Sequence, residues 1–125
     1  MTPRELAARL RRIDFSAVQH AALADQSALI ATAVREAVSQ PPGTEPHAYP
    51  WLRTGELRDS IGTKSSESEA VVGAASPTAL YQEHGTPTVP PRPFLAPVAA
   101  LHAGDAARSV AASIVATLKC ALEDH

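Results

Sequence analysis

Apolar residues recur at helical spacing through the first third of the chain. Leu6, Leu10 and Ile13 open the stripe, and Val18, Ala22, Leu29, Ala33 and Val34 prolong it. Thr2 suits an N-cap, Pro3 suits the first helical position, and Glu5 follows three residues after the cap, as in a capping box. Residues 1–40 therefore predict a long N-terminal helix, about 50 Å if unbroken at ~1.5 Å per residue. "IDFS" (Ile13–Ser16) can interrupt it, because Asp14 and Ser16 compete for backbone hydrogen bonds as caps. A rod of that length outreaches a small domain, so part of it has to lie on something else.

Pro41 and Pro42 stop the helix and Gly43 favours a turn, which makes 41–52 a loop. The stretch 53–97 then changes character. Thr54 can cap a short helix that places Leu57 and Ile61 on one face. "IGTKSSESEAVVGAA" predicts a hairpin, with "SSESE" as its turn and Ser76-Pro77 ending the second strand. "TALYQEH" fits a short helix and an extended piece equally well. A proline-rich strap follows: Pro90, Pro91 and Pro93 stiffen it, Gly85 supplies a turn before it, and Phe94-Leu95 anchor it. Residues 97–123 predict a second long helix, with Pro97 in its first turn and an apolar face from Val98 to Leu122. Gly104 weakens its middle by about 1 kcal/mol relative to alanine. The expected fold class is α+β in a single domain: long N-terminal helix, short helix, small antiparallel sheet, strap, long C-terminal helix.

Composition adds a reason to expect partners. The 125 residues include one tryptophan, two tyrosines and two phenylalanines, and much of the apolar content is alanine. A chain with so few large anchors is expected to complete its core against other subunits. The formal net charge is −2 with both signs interspersed, and Arg9, Arg11 and Arg12 stand beside Glu5 and Asp14. That balance argues against dedicated phosphate-backbone binding. A lone cysteine, Cys120, excludes an intramolecular disulfide and a cysteine metal cluster, and reads as a small apolar residue near a helix end. No signal peptide or membrane-length apolar run is visible, which predicts a soluble cytoplasmic product without a membrane partner.

The one acid–imidazole pair in a setting of interest is Glu83-His84. Adjacent residues point apart on a strand and do not face each other on a helix, and no nucleophile elbow, HExxH helix or phosphate-cradling loop accompanies them. Glu83 reads instead as a buried or interfacial carboxylate bonded to backbone amides, and His84 as a partly exposed aromatic. No cofactor or metal is expected. Pro87 to Pro90 forms a PxxP pattern that a groove-lined module could bind, but a stiff strap that docks at small entropic cost suits a subunit contact better.

"RTGELRDSI" (Arg53–Ile61), "VVGAASPTALYQEHGT" (Val71–Thr86) and "PPRPFLAPV" (Pro90–Val98), in that order, resemble the head-to-tail joining and tail-completion proteins of long-tailed bacteriophages and related gene-transfer particles. Thr54, Gly55, Leu57, Ser60 and Ile61 match the family's first segment. Tyr81, Glu83, Gly85 and Thr86 match the second, and Arg92, Pro93, Phe94, Leu95 and Pro97 the third. His84 departs from it, standing where the family usually carries an aromatic such as phenylalanine. The resemblance implies a homo-oligomer, a ring of six copies at the neck of the virion, assembled from the host cytoplasm. Its partners would be the tail tube protein and a head-side connector or stopper, with DNA passing the lumen unbound, and no enzymatic activity is implied. Within that class a head-side adaptor or stopper is the near alternative. From other classes the rivals are a small oligomeric peptide-binding or regulatory module and an enzyme centred on Glu83-His84. The candidate subunit or partner contacts are Trp51, Leu57, Ile61, Tyr81, Glu83, Gly85, Thr86, Arg92, Pro93, Phe94 and Leu95.

Overall fold

The computed structural model describes residues 2–40, 49–50, 55–87 and 91–123. Thr2 and Glu5 form the expected capping box, Thr2 Oγ1 accepting from Glu5 N at 3.1 Å and Glu5 Oε2 from Thr2 N at 3.0 Å. The helix they open, α1 (Pro3–Arg11), is short. The N-terminal rod is not continuous: Asp14 Oδ1 accepts from Ala17 N at 3.0 Å and starts a second helix, α2 (Phe15–Ala37). Of the two outcomes open at "IDFS", capping prevails over continuation, because a carboxylate at a helix start satisfies an otherwise orphaned amide. α1 buries none of its side chains. Arg9 Nη1 ties it to the far end of the chain, donating to Ala121 O at 3.3 Å and Leu122 O at 3.5 Å, where a cation complements the last carbonyls of a helix.

A third, single-turn helix, α3 (Glu56–Asp59), runs into strand β1 (Ile61–Ser65), which pairs antiparallel with β2 (Ala70–Ala74). The register sets Ile61 opposite Ala74, Thr63 opposite Val72 and Ser65 opposite Ala70. Ser66 closes the turn, its N–H bonding Glu69 O at 2.8 Å. Helix α4 (Pro77–His84) resolves "TALYQEH" as helical: Ser76 Oγ accepts from Thr78 N at 3.2 Å, and Pro77 takes the first position, where no N–H is needed. The last helix, α5 (Leu95–Glu123), opens two residues before the expected 97. Pro97 still falls in the first turn, whose amides have no intrahelical partner to lose.

The buried cluster is small: Ala31, Val34 and Val38 from α2 and its end, Ile61 of β1, Ala79 of α4, and Phe94 and Val98 at the start of α5. Phe94 is its largest member, at 0% exposure. Both β1 and α5 therefore hang on α2, which explains the long first apolar stripe. Arg35 reinforces that join, with Nη2 donating to Ile61 O at 2.8 Å. α5 is about 43 Å long at ~1.5 Å per residue, against a radius of gyration of about 14 Å for a compact chain of this size. Its one buried residue is Val98.

Candidate functional site

Gly55 opens the first of the matched segments. Its φ of 84° lies in the left-handed region, which glycine adopts without the strain an L side chain would carry. It stands as N-cap of α3 without a side-chain cap bond; Thr54, expected to cap, lies outside the described residues, as does Trp51. Leu57 packs half-buried against the core, Ser60 Oγ donates to Leu57 O at 2.8 Å, and Ile61 enters the core. The segment turns the chain from α3 into β1.

The second and third segments meet in one buckle. α4 ends at Gly85, whose φ of 76° and ψ of 177° form a conformation used almost only by glycine. Gly85 N donates to Tyr81 O at 2.7 Å, and on the returning strand Arg92 N donates to Gln82 O at 2.6 Å. The next residue of α4 completes the join: Glu83 Oε1 accepts from both Phe94 N and Leu95 N at 2.5 Å. These are the amides that open α5, so a carboxylate from one helix caps the positive end of another. Phe94 then drops into the core directly below. The reading of Glu83 as a carboxylate bonded to backbone amides describes this geometry.

That bonding spends the acid of the Glu83-His84 pair. His84 is exposed in the last turn of α4, so the two groups diverge as adjacent helical residues must. Among the described residues no cluster of three or more His, Cys, Asp or Glu is placed to hold a metal. His20 Nε2 lies 3.2 Å from Ser65 Oγ, joining α2 to β1 in the open. Cys120 sits near the end of α5 as expected, but exposed.

The candidate contact residues divide by burial. Ile61 and Phe94 belong to the chain's own interior and offer no free surface, so their part in any assembly runs through the fold. Leu57 is half-buried on α3, Glu83, Gly85, Thr86, Arg92 and Leu95 are half-buried around the buckle, and Tyr81 and Pro93 are exposed. Sequence reasoning missed a second feature: an apolar groove between β2 and α5, floored by α2. Two depressions of about 450 Å³ and 270 Å³ meet at Ile30 and Val72. The larger reaches Leu23, Ala106 and Val110, and the smaller runs to Leu95 beside Glu83. The signal available was the alanine-rich face of α5, whose small side chains cannot fill the space beside a strand.

Large apolar residues are exposed on several elements, among them Leu29 of α2 and Val71 of β2. Leu80 and Tyr81 of α4 are 62% and 53% exposed, and Leu101 of α5 is 72% exposed. Leu101, Val115 and Leu122 share an outward stripe of α5 in which every seventh position falls on one side, with Arg108 completing the series. No helix among the described residues is long and apolar enough to cross a membrane. Set against known protein families, curated proteins and solved structures, the chain matches none of them.

Proposed function

We propose that this chain is a structural subunit of a virion neck, one of a ring of copies that ends the tail tube, joins it to the head and lets DNA pass. The observation that carries the proposal is the outward apolar stripe of α5, Leu101, Val115 and Leu122, on a helix that buries only Val98 in its own subunit. Such a stripe offers apolar contact area to another chain. The ordered resemblance of residues 53–98 to neck proteins supports a ring assembly as what supplies it. In a ring each subunit repeats a head-to-tail contact between two different surfaces, and Leu80 and Tyr81 offer a second apolar patch of different shape. The buckle around Glu83 and Phe94 is then the internal joint that holds both patches at a fixed angle.

The test is a double substitution, Leu101→Asp with Val115→Asp, in a particle-assembly system. Both side chains are exposed, so the subunit is expected to fold with stability within about 0.5 kcal/mol of the wild type, while tails fail to join heads and the chain is missing from purified particles. Normal particles containing the double variant would overturn the proposal. Spacing of seven residues also favours a second reading, a helix-paired dimer of a small regulatory module. Sedimentation separates the two: a stable dimer that the double variant dissolves, in a chain that never enters particles, supports the module.

A further inference from the structure

The two-stranded sheet has two edges, and the one on β2 borders an apolar groove. In an antiparallel pair, alternate residues bond across the strands and the others turn their N–H and C=O outward. The bonds from Ala75 N to Ser60 O (3.1 Å) and from Ser66 N to Glu69 O (2.8 Å) fix the phase. Val71 and Gly73 therefore bond to β1, while Ala70, Val72 and Ala74 face away from it. On the β1 side, Arg35 occupies one outward group, the carbonyl of Ile61, at 2.8 Å, and no described residue bonds the outward main-chain groups of Thr63 or Ser65. On the β2 side, no described residue bonds the outward groups of Ala70, Val72 or Ala74. The apolar groove runs beside this open edge, between β2 and α5.

We propose that the β2 edge and the groove together receive an extended segment of a different protein, which adds to β2 as a third strand. Three residues with outward N–H and C=O groups at strand spacing call for a partner backbone at the same spacing, which a helix cannot present. About five residues suffice to cover β2, at ~3.3 Å each. Every second side chain of that segment points down between Ile30, Val72 and the alanines of α5. Those side chains are small or β-branched and uncharged: the described groove lining carries no basic residue, and its one acid, Glu83, already accepts two amides. This chain's own connecting stretches are poor donors. They contain Pro41, Pro42, Pro46 and Pro50, then Pro87, Pro90, Pro91 and Pro93, and proline lacks the N–H that a ladder needs. The slot is independent of the ring proposed above.

The test titrates the isotope-labelled full chain with capped peptides of the pattern Lys-Thr-X-Thr-X-Thr-Lys, where X is Ala, Val or Glu. The Ala and Val peptides are expected to bind saturably at millimolar concentration, shifting the amides of Ala70, Val72 and Ala74 and slowing their exchange, with Val71 and Gly73 unchanged. N-methylating the X residues, whose N–H groups face β2, is expected to weaken binding about tenfold or more. Ala70→Pro removes one outward donor without touching the β1–β2 ladder and weakens binding several-fold. Four results overturn the proposal: no saturable binding by any peptide, equal binding of the N-methylated or Glu forms, shifts mapping away from β2, or an unaffected Ala70→Pro with its hairpin intact. Self-association of the chain that shifts the same three amides without peptide replaces the foreign strand with a second copy.

Discussion

Removing the Glu83 carboxylate is the sharpest perturbation of the buckle. Glu83→Ala leaves two partly buried amides, Phe94 N and Leu95 N, without the acceptor that both now share at 2.5 Å. A hydrogen bond to a charged group is worth about 1.5–3 kcal/mol, and water can recover part of the loss at a half-buried site, so the net cost is about 2–4 kcal/mol. Glu83→Gln keeps an acceptor oxygen in place and loses the charge that complements the start of α5, which costs about 1 kcal/mol. Urea unfolding reads both. With a slope of about 1.5 kcal/mol per molar, a loss of 3 kcal/mol lowers the midpoint by about 2 M. The amides of Phe94 and Leu95 are expected to exchange faster in Glu83→Ala and nearly normally in Glu83→Gln. An alanine variant within 0.5 kcal/mol of wild type (about the scatter of surface substitutions), or a glutamine variant as costly as alanine, refutes the capping argument.

Phe94→Ala empties the largest site in the core and is expected to cost about 3–5 kcal/mol, read from the same unfolding curves; a loss under 1 kcal/mol would mean that the core closes over the vacancy. Gly85→Ala forces a side chain into a backbone region that glycine nearly monopolises, for about 1–3 kcal/mol, with m unchanged. If Gly85→Ala is neutral, the turn after α4 has more than one acceptable geometry.

What the sequence disclosed follows how local each interaction is. The capping box of Thr2 and Glu5 and the hairpin turn at Ser66–Glu69 lie within a few residues, so composition and spacing expose them. The break at Asp14 was visible as an alternative and undecidable, because a cap and a continuing helix differ by about 1 kcal/mol. The bonds that assemble the tertiary structure were not legible. Nothing local marks Arg35 as the group that ties α2 to the Ile61 carbonyl of β1, or Arg9 as the one that closes the end of α5, since each reaches a partner far along the chain. The strap was read as a contact element because its prolines and Phe94 look like a docking device. Phe94 packs in the chain's own interior, and the identity of the surface an anchor fills is a tertiary fact.

The buckle and the outward stripe of α5 are one device. Each residue of an α-helix turns the face by about 100°, so a slip of one residue at the start of α5 would rotate Leu101, Val115 and Leu122 by that angle along its whole length. Two features forbid the slip: Phe94 is locked in the core, and Glu83 holds the adjoining pair of amides. Arg9 fastens the other end through the carbonyls of Ala121 and Leu122. A helix held at both ends, with a half-buried side along α2 that includes Val110, Ile114 and Leu118, keeps its other side aimed in a fixed direction without using it for its own fold. A subunit that had to bury that stripe itself would place α5 differently, and Leu101 would not stand 72% exposed. The polar and proline-rich segments thus fix where the surface points, and the apolar residues of α5 supply what it would bind with.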